Sequence, residues 1–224
     1  MKLDLAIDQL FELVNQVREA SYSDEKTPLL NALALSKEVI SLGTGESAFD
    51  VVIFGDLNGF KHLNDEHGHD AGDVAIGQVG ELIHREFVEK TKIKGKAFRV
   101  SGDEFVILIK RSSLASFRSK TTSFKSVKFR YEEKDLETKM SFGFVVSDGK
   151  TDFAELMKRA ETACLSAKNK GDGTNVEWSP EVERNALVEL RRKCPSCFSV
   201  NKCSVPKDQS QKGLTSCAFC GVAF

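Results

Sequence analysis

With 224 residues, 41% hydrophobic and 29% charged, the chain can form one domain with a buried core plus a small appendage. A net charge of -1 supplies no basic field, which argues against DNA, RNA or an acidic membrane surface as a general partner. No apolar run reaches the length of a membrane span, and residues 1–21 carry Asp4, Asp8 and Glu12 where a signal peptide would be apolar, so a cytoplasmic location is expected.

Leu3, Ile7, Leu10, Val14 and Val17 follow a 4-3-4-3 spacing, the seam of a helix about two heptads long. Two heptads leave open a helix packed on its own domain and a short dimerising stalk, and the packed form is favoured. Residues 24–42 read as a loop followed by a helix, with Pro28 near the start, where its missing N–H costs least. Val51, Val52, Ile53 and Phe54 form an apolar, β-branched run that predicts a buried strand stopping at Asp56. Residues 72–90 place Ile76, Val79, Ile83 and Phe87 on one helical face. Strands are predicted over 97–100 and 105–109, joined by the tight hairpin Ser101-Gly102-Asp103-Glu104, and again over 125–131 and 140–147. Phe153, Leu156, Ala160, Cys164 and Ala167 mark an amphipathic helix ending near Gly171, and 175–178 a last short strand. The charged segment 180–193 reads as a linking helix into a cysteine-rich tail. Strands with intervening helices of these lengths predict an α/β (α+β) fold, one sheet covered by helices.

Two places carry chemistry. Asp56 ends a buried strand, and Asp103-Glu104 occupies a hairpin tip. Were those strands neighbours, three carboxylates would converge on one sheet edge, and such a cluster suits a hard cation, Mg²⁺ or Mn²⁺, carrying a phosphate substrate. Metals held this way perform phosphoryl or nucleotidyl transfer. Taken singly, acidic residues in turns are commonplace and solvated.

Residues 56–73 read DLNGFKHLNDEHGHDAGD and residues 99–108 read RVSGDEFVIL. Together they resemble the two signature segments of GGDEF diguanylate cyclases. Fainter echoes follow in the family's order: DEKTPLLN at 24–31, Ser141-Phe142-Gly143, and ACLSAKNKGDGTNV at 163–176. The resemblance implies a palm-like nucleotidyl-cyclase sheet flanked by helices over 23–178; the residues around it read as an N-terminal helix (1–22), a linking helix (179–193) and a zinc ribbon (194–224). It implies that Asp56 and Asp103 ligate the metals with the Leu57 carbonyl, and that Glu104 deprotonates or positions the attacking ribose 3′-hydroxyl. Lys61 and Lys168 would neutralise the triphosphate of GTP, with Arg99 beside the signature loop and Gly102 letting the backbone approach the phosphates. Asn64 and Asp73 would read guanine, because a carboxylate accepts from N1–H and the exocyclic amine and adenine offers no such pair. Two subunits would close the active site, so a homodimer is expected.

Some positions depart from the family pattern. Ser101 replaces the first glycine of the signature, and Asn58 stands where many members have a second aspartate. Gly171-Asp172-Gly173 replaces Gly-Arg-Asn, exchanging a phosphate-binding arginine for a negative charge. Lys92 and Gly95 occupy the positions of the Arg-x-x-Asp product-inhibition motif, so no feedback at that site is expected. His69 is expected to be a hydrogen-bonded structural histidine, with His62, His67 and His84 facing solvent, and Cys164 a small core residue.

Five of the six cysteines follow Arg192. Cys194-Pro-Ser-Cys197 and Cys217-Ala-Phe-Cys220 are two knuckles separated by nineteen residues, a spacing that offers four thiolates to one structural Zn²⁺. Disulfides are the alternative, disfavoured in a reducing compartment. Cys203 is an odd extra. The ribbon could serve a protein partner, and its lysines are too sparse to argue nucleic acid. Two further readings stay open: a GGDEF domain kept as a GTP or cyclic-dinucleotide receptor, and a polymerase-like palm, which near-neutral charge disfavours.

Overall fold

The computed structural model describes residues 2–43, 49–89, 93, 95–171, 173–197, 199–206 and 220, with the backbone alone for 2–6, 8, 18, 40–43, 187–193 and 200–206. Helix α1 (Lys2–Ala20) leads through a loop to β1 (Leu30–Asn31) and α2 (Ala32–Gly43). Strand β2 (Val51–Asn58) is followed by α3 (Phe60–His67), α4 (His69–Ile83) and a π-helical turn, His84–Val88. The signature hairpin joins β3 (Lys96–Ser101) to β4 (Glu104–Ile109). Then come α5 (Leu114–Lys120), β5 (Val127–Tyr131), β6 (Lys134–Val146), α6 (Phe153–Lys170) and β7 (Asn175–Glu177). The tail contributes α7 (Pro180–Asn185) and the strand pair β8 (Leu187–Lys193) and β9 (Val200–Pro206).

The main sheet has the order β1-β3-β4-β2-β6-β5, with β7 also paired to β6. Alternation along the central strands divides the core between its two faces, because side chains two apart share a face. Val51, Ile53, Phe105, Ile107 and Ile109 pack with Ile76, Val79, Ile83 and Phe87 of α4 and the π-turn. Val52, Phe54, Val106 and Leu108 pack with Leu35 of α2 and with Leu156, Ala160 and Cys164 of α6. The expected sheet covered by helices is the structure observed.

The helix predicted over 72–90 begins three residues earlier and widens into the π-turn at its end, keeping Phe87 buried and stacked on Phe124 at 5.6 Å. Strand β2 does not stop at Asp56. It continues to Asn58, so Asp56 is a paired strand residue with Glu104 on one side and Ser141 on the other.

A glycine sets how closely α6 lies on the sheet. A Cβ at Gly143 in β6 would overlap the backbone of Ala160, Ala163 and Cys164. Gly143→Ala is therefore expected to cost about 3 kcal/mol, since an overpacked backbone contact can relax only by moving the helix. A urea-unfolding midpoint within error of the parent would contradict this close packing.

Three further expectations are corrected. The packed form of the N-terminal helix fails, because Ile7, Leu10, Val14 and Val17 are all exposed, together with Phe11 and Leu13. The linking helix over 179–193 is helical only to Asn185. Ala186 turns extended, and residues 187–193 pair antiparallel with 200–206, cross-strand pairing overriding the helix propensity of Leu, Glu and Arg. Helix α7 packs Val182 against Ala163 and Ala167 of α6 and Val176 of β7. Trp178 donates to Glu183 at 3.3 Å and lies beneath the Arg159 guanidinium, tying the tail to α6. Among the histidines, His62 is exposed, but the side chain of His67 is only 15% exposed and His84 is half-buried, while His69 is exposed rather than enclosed.

Candidate active site

β2 and β4 are antiparallel neighbours with Asp56 opposite Glu104, so the convergence expected of these strands occurs. The loop between β3 and β4 is two residues, Gly102 at φ 36° and Asp103, and the Asp103 carbonyl accepts from the Leu57 N–H at 3.4 Å. That positive φ favours a residue without Cβ. Asp56, Asp103 and Glu104 are half-buried and Leu57 is fully buried.

Helix α6 completes the site from above the sheet. The Lys168 ammonium donates to Asp56 Oδ1 and to the Leu57 carbonyl, the latter at 3.3 Å. Burial raises the Asp56 carboxyl above its usual range, and Asp103 and Glu104 raise it further while Lys168 opposes them. Glu104 is likewise raised by burial, then by Asp103 and by Glu161 of α6, with Lys168 again opposing. Mutually repelling carboxylates beside a backbone carbonyl, with a cation already on Asp56 and on that carbonyl, form a donor set that fits Mg²⁺ or Mn²⁺. One turn earlier on α6, Cys164 donates to the Ser141 carbonyl at 3.3 Å, and burial pushes its thiol up to about 12. It is the small core residue expected.

Arg99 faces inward. Its Nε donates to the Gly102 carbonyl at 2.9 Å and its Nη1 lies 3.2 Å from Asp24 Oδ2, both side chains being largely covered. Asp24 also accepts from Thr27 Oγ1 at 2.8 Å and from the Lys26 N–H at 3.1 Å. The opening segment and the signature hairpin are thus joined by one ion pair between residues 75 apart, a pairing that local sequence does not reveal.

Asn64 on α3 and Asp73 on α4 stand on neighbouring helices. Asn64 Oδ1 is buried without a hydrogen-bond partner beside Gly72, whose missing Cβ leaves it room. Asp73 is held by Lys26. Lys61 is exposed on the first turn of α3. Glu161 and Lys26 were not singled out from sequence. Glu161 lies seven residues before Lys168 on the same helix, a spacing that shares a face and was available as a signal.

At the tail, the β8–β9 hairpin carries the first knuckle at its turn. The Cys194 N–H donates to the Ser199 carbonyl at 2.9 Å, and the Cys197 N–H approaches Cys194 Sγ at 3.5 Å. The sulfurs of Cys194, Cys197 and Cys220 lie within 4.8 Å of one another, with Cys194 and Cys220 3.6 Å apart, too far for a disulfide. Cys217 lies outside the described residues, as do Asp172 and Lys92 and the side chain of Cys203.

The model of the family described as "Diguanylate cyclase, GGDEF domain" matches residues 21–174. Among curated proteins, "Probable diguanylate cyclase DgcE" of Escherichia coli (strain K12) is 29% identical over 188 residues, covering 79% of this chain and 17% of that protein. Diguanylate cyclase DosC of the same strain is 27% identical over 182 residues, covering 76% of this chain and 37% of its own length. The chain thus spans well under half of either relative. Among solved structures, the coiled coil and GGDEF domain of DgcB from Caulobacter crescentus, in complex with c-di-GMP, superposes with a TM-score of 0.67 at 23% identity over 78% of this chain and 94% of that one. Diguanylate cyclase SiaD from Pseudomonas aeruginosa, in complex with its activator SiaC, gives 0.63 at 23% identity over 78% of this chain and 68% of that one. Among the described residues, no helix is long and apolar enough to cross a membrane.

Proposed function

This chain belongs to the GGDEF diguanylate cyclase family, and from that premise we propose that it condenses two GTP into cyclic di-GMP and two pyrophosphates across a homodimer. The observation that carries this reading is the meeting of Asp56, Asp103 and Glu104 at the hairpin end of the central strands β2 and β4, with Lys168 on the Asp56 carboxylate and the Leu57 carbonyl. Those two aspartates and the Leu57 carbonyl would hold Mg²⁺ or Mn²⁺, which supplies charge stabilisation for the phosphoryl oxygens when bound. Glu104 takes the proton of the attacking 3′-hydroxyl. Its raised carboxyl suits a base, because a more basic carboxylate accepts a proton more readily. Each 3′-oxygen bonds to the α-phosphorus of the partner's nucleotide as the α–β phosphoanhydride bond breaks and pyrophosphate leaves. Lys168 and Lys61 balance the triphosphate charge, and Asn64 and Asp73 orient guanine. Arg99 acts as a positioning residue, fixing the Gly102 carbonyl and hence the hairpin tip. Pyrophosphate release from GTP by the purified chain with Mg²⁺ tests this function, and intact GTP after prolonged incubation would oppose it.

The absence of feedback at the Arg-x-x-Asp position is supported by Gly95. This glycine is buried between Ile109, Leu108 and Phe87, with no room for a carboxylate side chain. The exposed apolar face of α1 is the surface we assign to the dimer contact.

For the tail, we infer one structural Zn²⁺ held by Cys194, Cys197, Cys217 and Cys220. A tetrahedral site with Zn–S bonds of about 2.3 Å places its sulfurs about 3.8 Å apart. The Cys194–Cys220 separation of 3.6 Å agrees with that, and an N–H directed at Cys194 Sγ is the support a thiolate ligand accepts. The cyclase-attached ribbon would then offer a folded surface to a protein partner. The chain is expected to retain one zinc per molecule through dialysis, and Cys194→Ser to lose it, as read by elemental mass spectrometry. Metal-free protein with all five tail thiols freely titrating would contradict the zinc site.

A further inference from the structure

We propose that Lys26 is a specificity-determining residue that reads the O6 keto oxygen of guanine, an inference that rests on the cyclase reading of this site. Its ammonium lies 2.6 Å from both carboxylate oxygens of Asp73, and the two side chains are 44% and 43% exposed, open to a ligand.

This is a built arrangement rather than a long side chain reaching a nearby charge. Asp73, Gly77 and Gly80 recur at 4-3 spacing and so form one stripe of α4. The opening segment lies along that stripe. Thr27 packs on Gly80, where a Cβ would collide with its side chain, and the Lys26 carbonyl lies 3.5 Å from where a Cβ of Gly77 would stand. Thr27 is buried, Lys26 N–H and Thr27 Oγ1 both donate to Asp24, and the Asp24 N–H donates to the Leu29 carbonyl at 2.9 Å. Asp24 in turn is fixed by Arg99. The backbone of Lys26 is therefore anchored at several points, within reach of Asp73, which holds its ammonium.

The chemistry follows from the base. Guanine presents an acceptor, O6, beside two donors, N1–H and the 2-amine. The Asp73–Lys26 pair presents the complement, a carboxylate that accepts and an ammonium that donates. An ammonium has three hydrogens. Asp73 engages at most two of them, leaving one for O6. Adenine would set its 6-amino group against the ammonium and its N1 lone pair against the carboxylate, giving neither protein group a partner on the base. Lys26 thus distinguishes guanine at the position Asp73 cannot reach, and the pair orders the Asp73 carboxylate for the base.

The test uses 3′-deoxy-GTP, which lacks the attacking hydroxyl, and its 6-thio counterpart, in which a poor acceptor replaces O6 while N1–H and the 2-amine remain. Calorimetry on the full chain is expected to show the wild type preferring 3′-deoxy-GTP by about tenfold, the worth of one charge-assisted hydrogen bond. Lys26→Met is expected to abolish that preference by weakening the keto form alone, and Lys26→Arg to retain it. Tighter binding of 3′-deoxy-GTP by Lys26→Met would overturn the inference by making Lys26 a competitor for Asp73. Equal affinities of both nucleotides for the wild type would overturn it by leaving a solvated surface pair. A wild type that binds neither nucleotide would remove the guanine reading itself, an outcome distinguishable because it precedes any substitution.

Discussion

Glu104→Gln is expected to lower cyclic di-GMP formation at least about a hundredfold while leaving GTP affinity within about threefold of the parent, the pattern of a lost general base. The carboxamide keeps the shape of the side chain opposite Asp56 in the β2–β4 register, so the sheet edge has no reason to rearrange. It cannot accept the hydroxyl proton. Asp56, Asp103 and the Leu57 carbonyl are untouched by this change, so a cation affinity near the parent's separates the loss from a damaged metal site. Initial rates at saturating GTP, with nucleotide binding measured in parallel, check the prediction. A fall in affinity equal to the fall in rate would assign Glu104 to substrate binding instead.

A double substitution on α1, Leu10→Asp with Val14→Asp, is expected to cut activity by about a hundredfold at low protein concentration and to leave each folded domain intact. Both residues are exposed and one turn apart on the apolar seam. Burying a Leu or Val side chain contributes about 1.5–3 kcal/mol, and each substitution acts in both copies of a dimer. Losing even about 4 kcal/mol of that sum raises a dissociation constant about a thousandfold. If two copies must meet for two nucleotides to react, the rate then rises with the square of chain concentration in the variant, and sedimentation shows a monomer. A dimeric, fully active variant would move the dimer contact away from α1.

Much of the fold was legible because the core strands carry unbroken apolar runs. Val51 to Phe54 and Phe105 to Ile109 are buried on both faces, and no alternation has to be guessed for them. What escaped has specific causes. Helix α3 (FKHLNDEH) has no buried residue, so its pattern carries no core-facing stripe to find. The α1 seam is an apolar stripe like any other, and sequence does not say whether its cover comes from the same copy. Residues 187–193 lost their helix to pairing with a strand that begins seven residues later, a non-local preference invisible to a local window. At the site, Asp56, Asp103 and Glu104 were readable as carboxylates at strand ends, and their meeting required only that β2 and β4 be neighbours. Lys26 and Arg99 could not be placed in the same way. Their partners, Asp73 and Asp24, lie 47 and 75 residues away in sequence and meet them only through the packing of the opening loop on α4 and the signature hairpin.

The measurement closest to the central claim is mass spectrometry of the products formed by the purified wild-type chain from GTP and Mg²⁺. Cyclic di-GMP with two pyrophosphates per molecule is expected, absent from a parallel Asp103→Ala sample. GTP bound but unchanged, or GDP alone, would contradict it and leave the same carboxylate edge as the site of a nucleotide receptor.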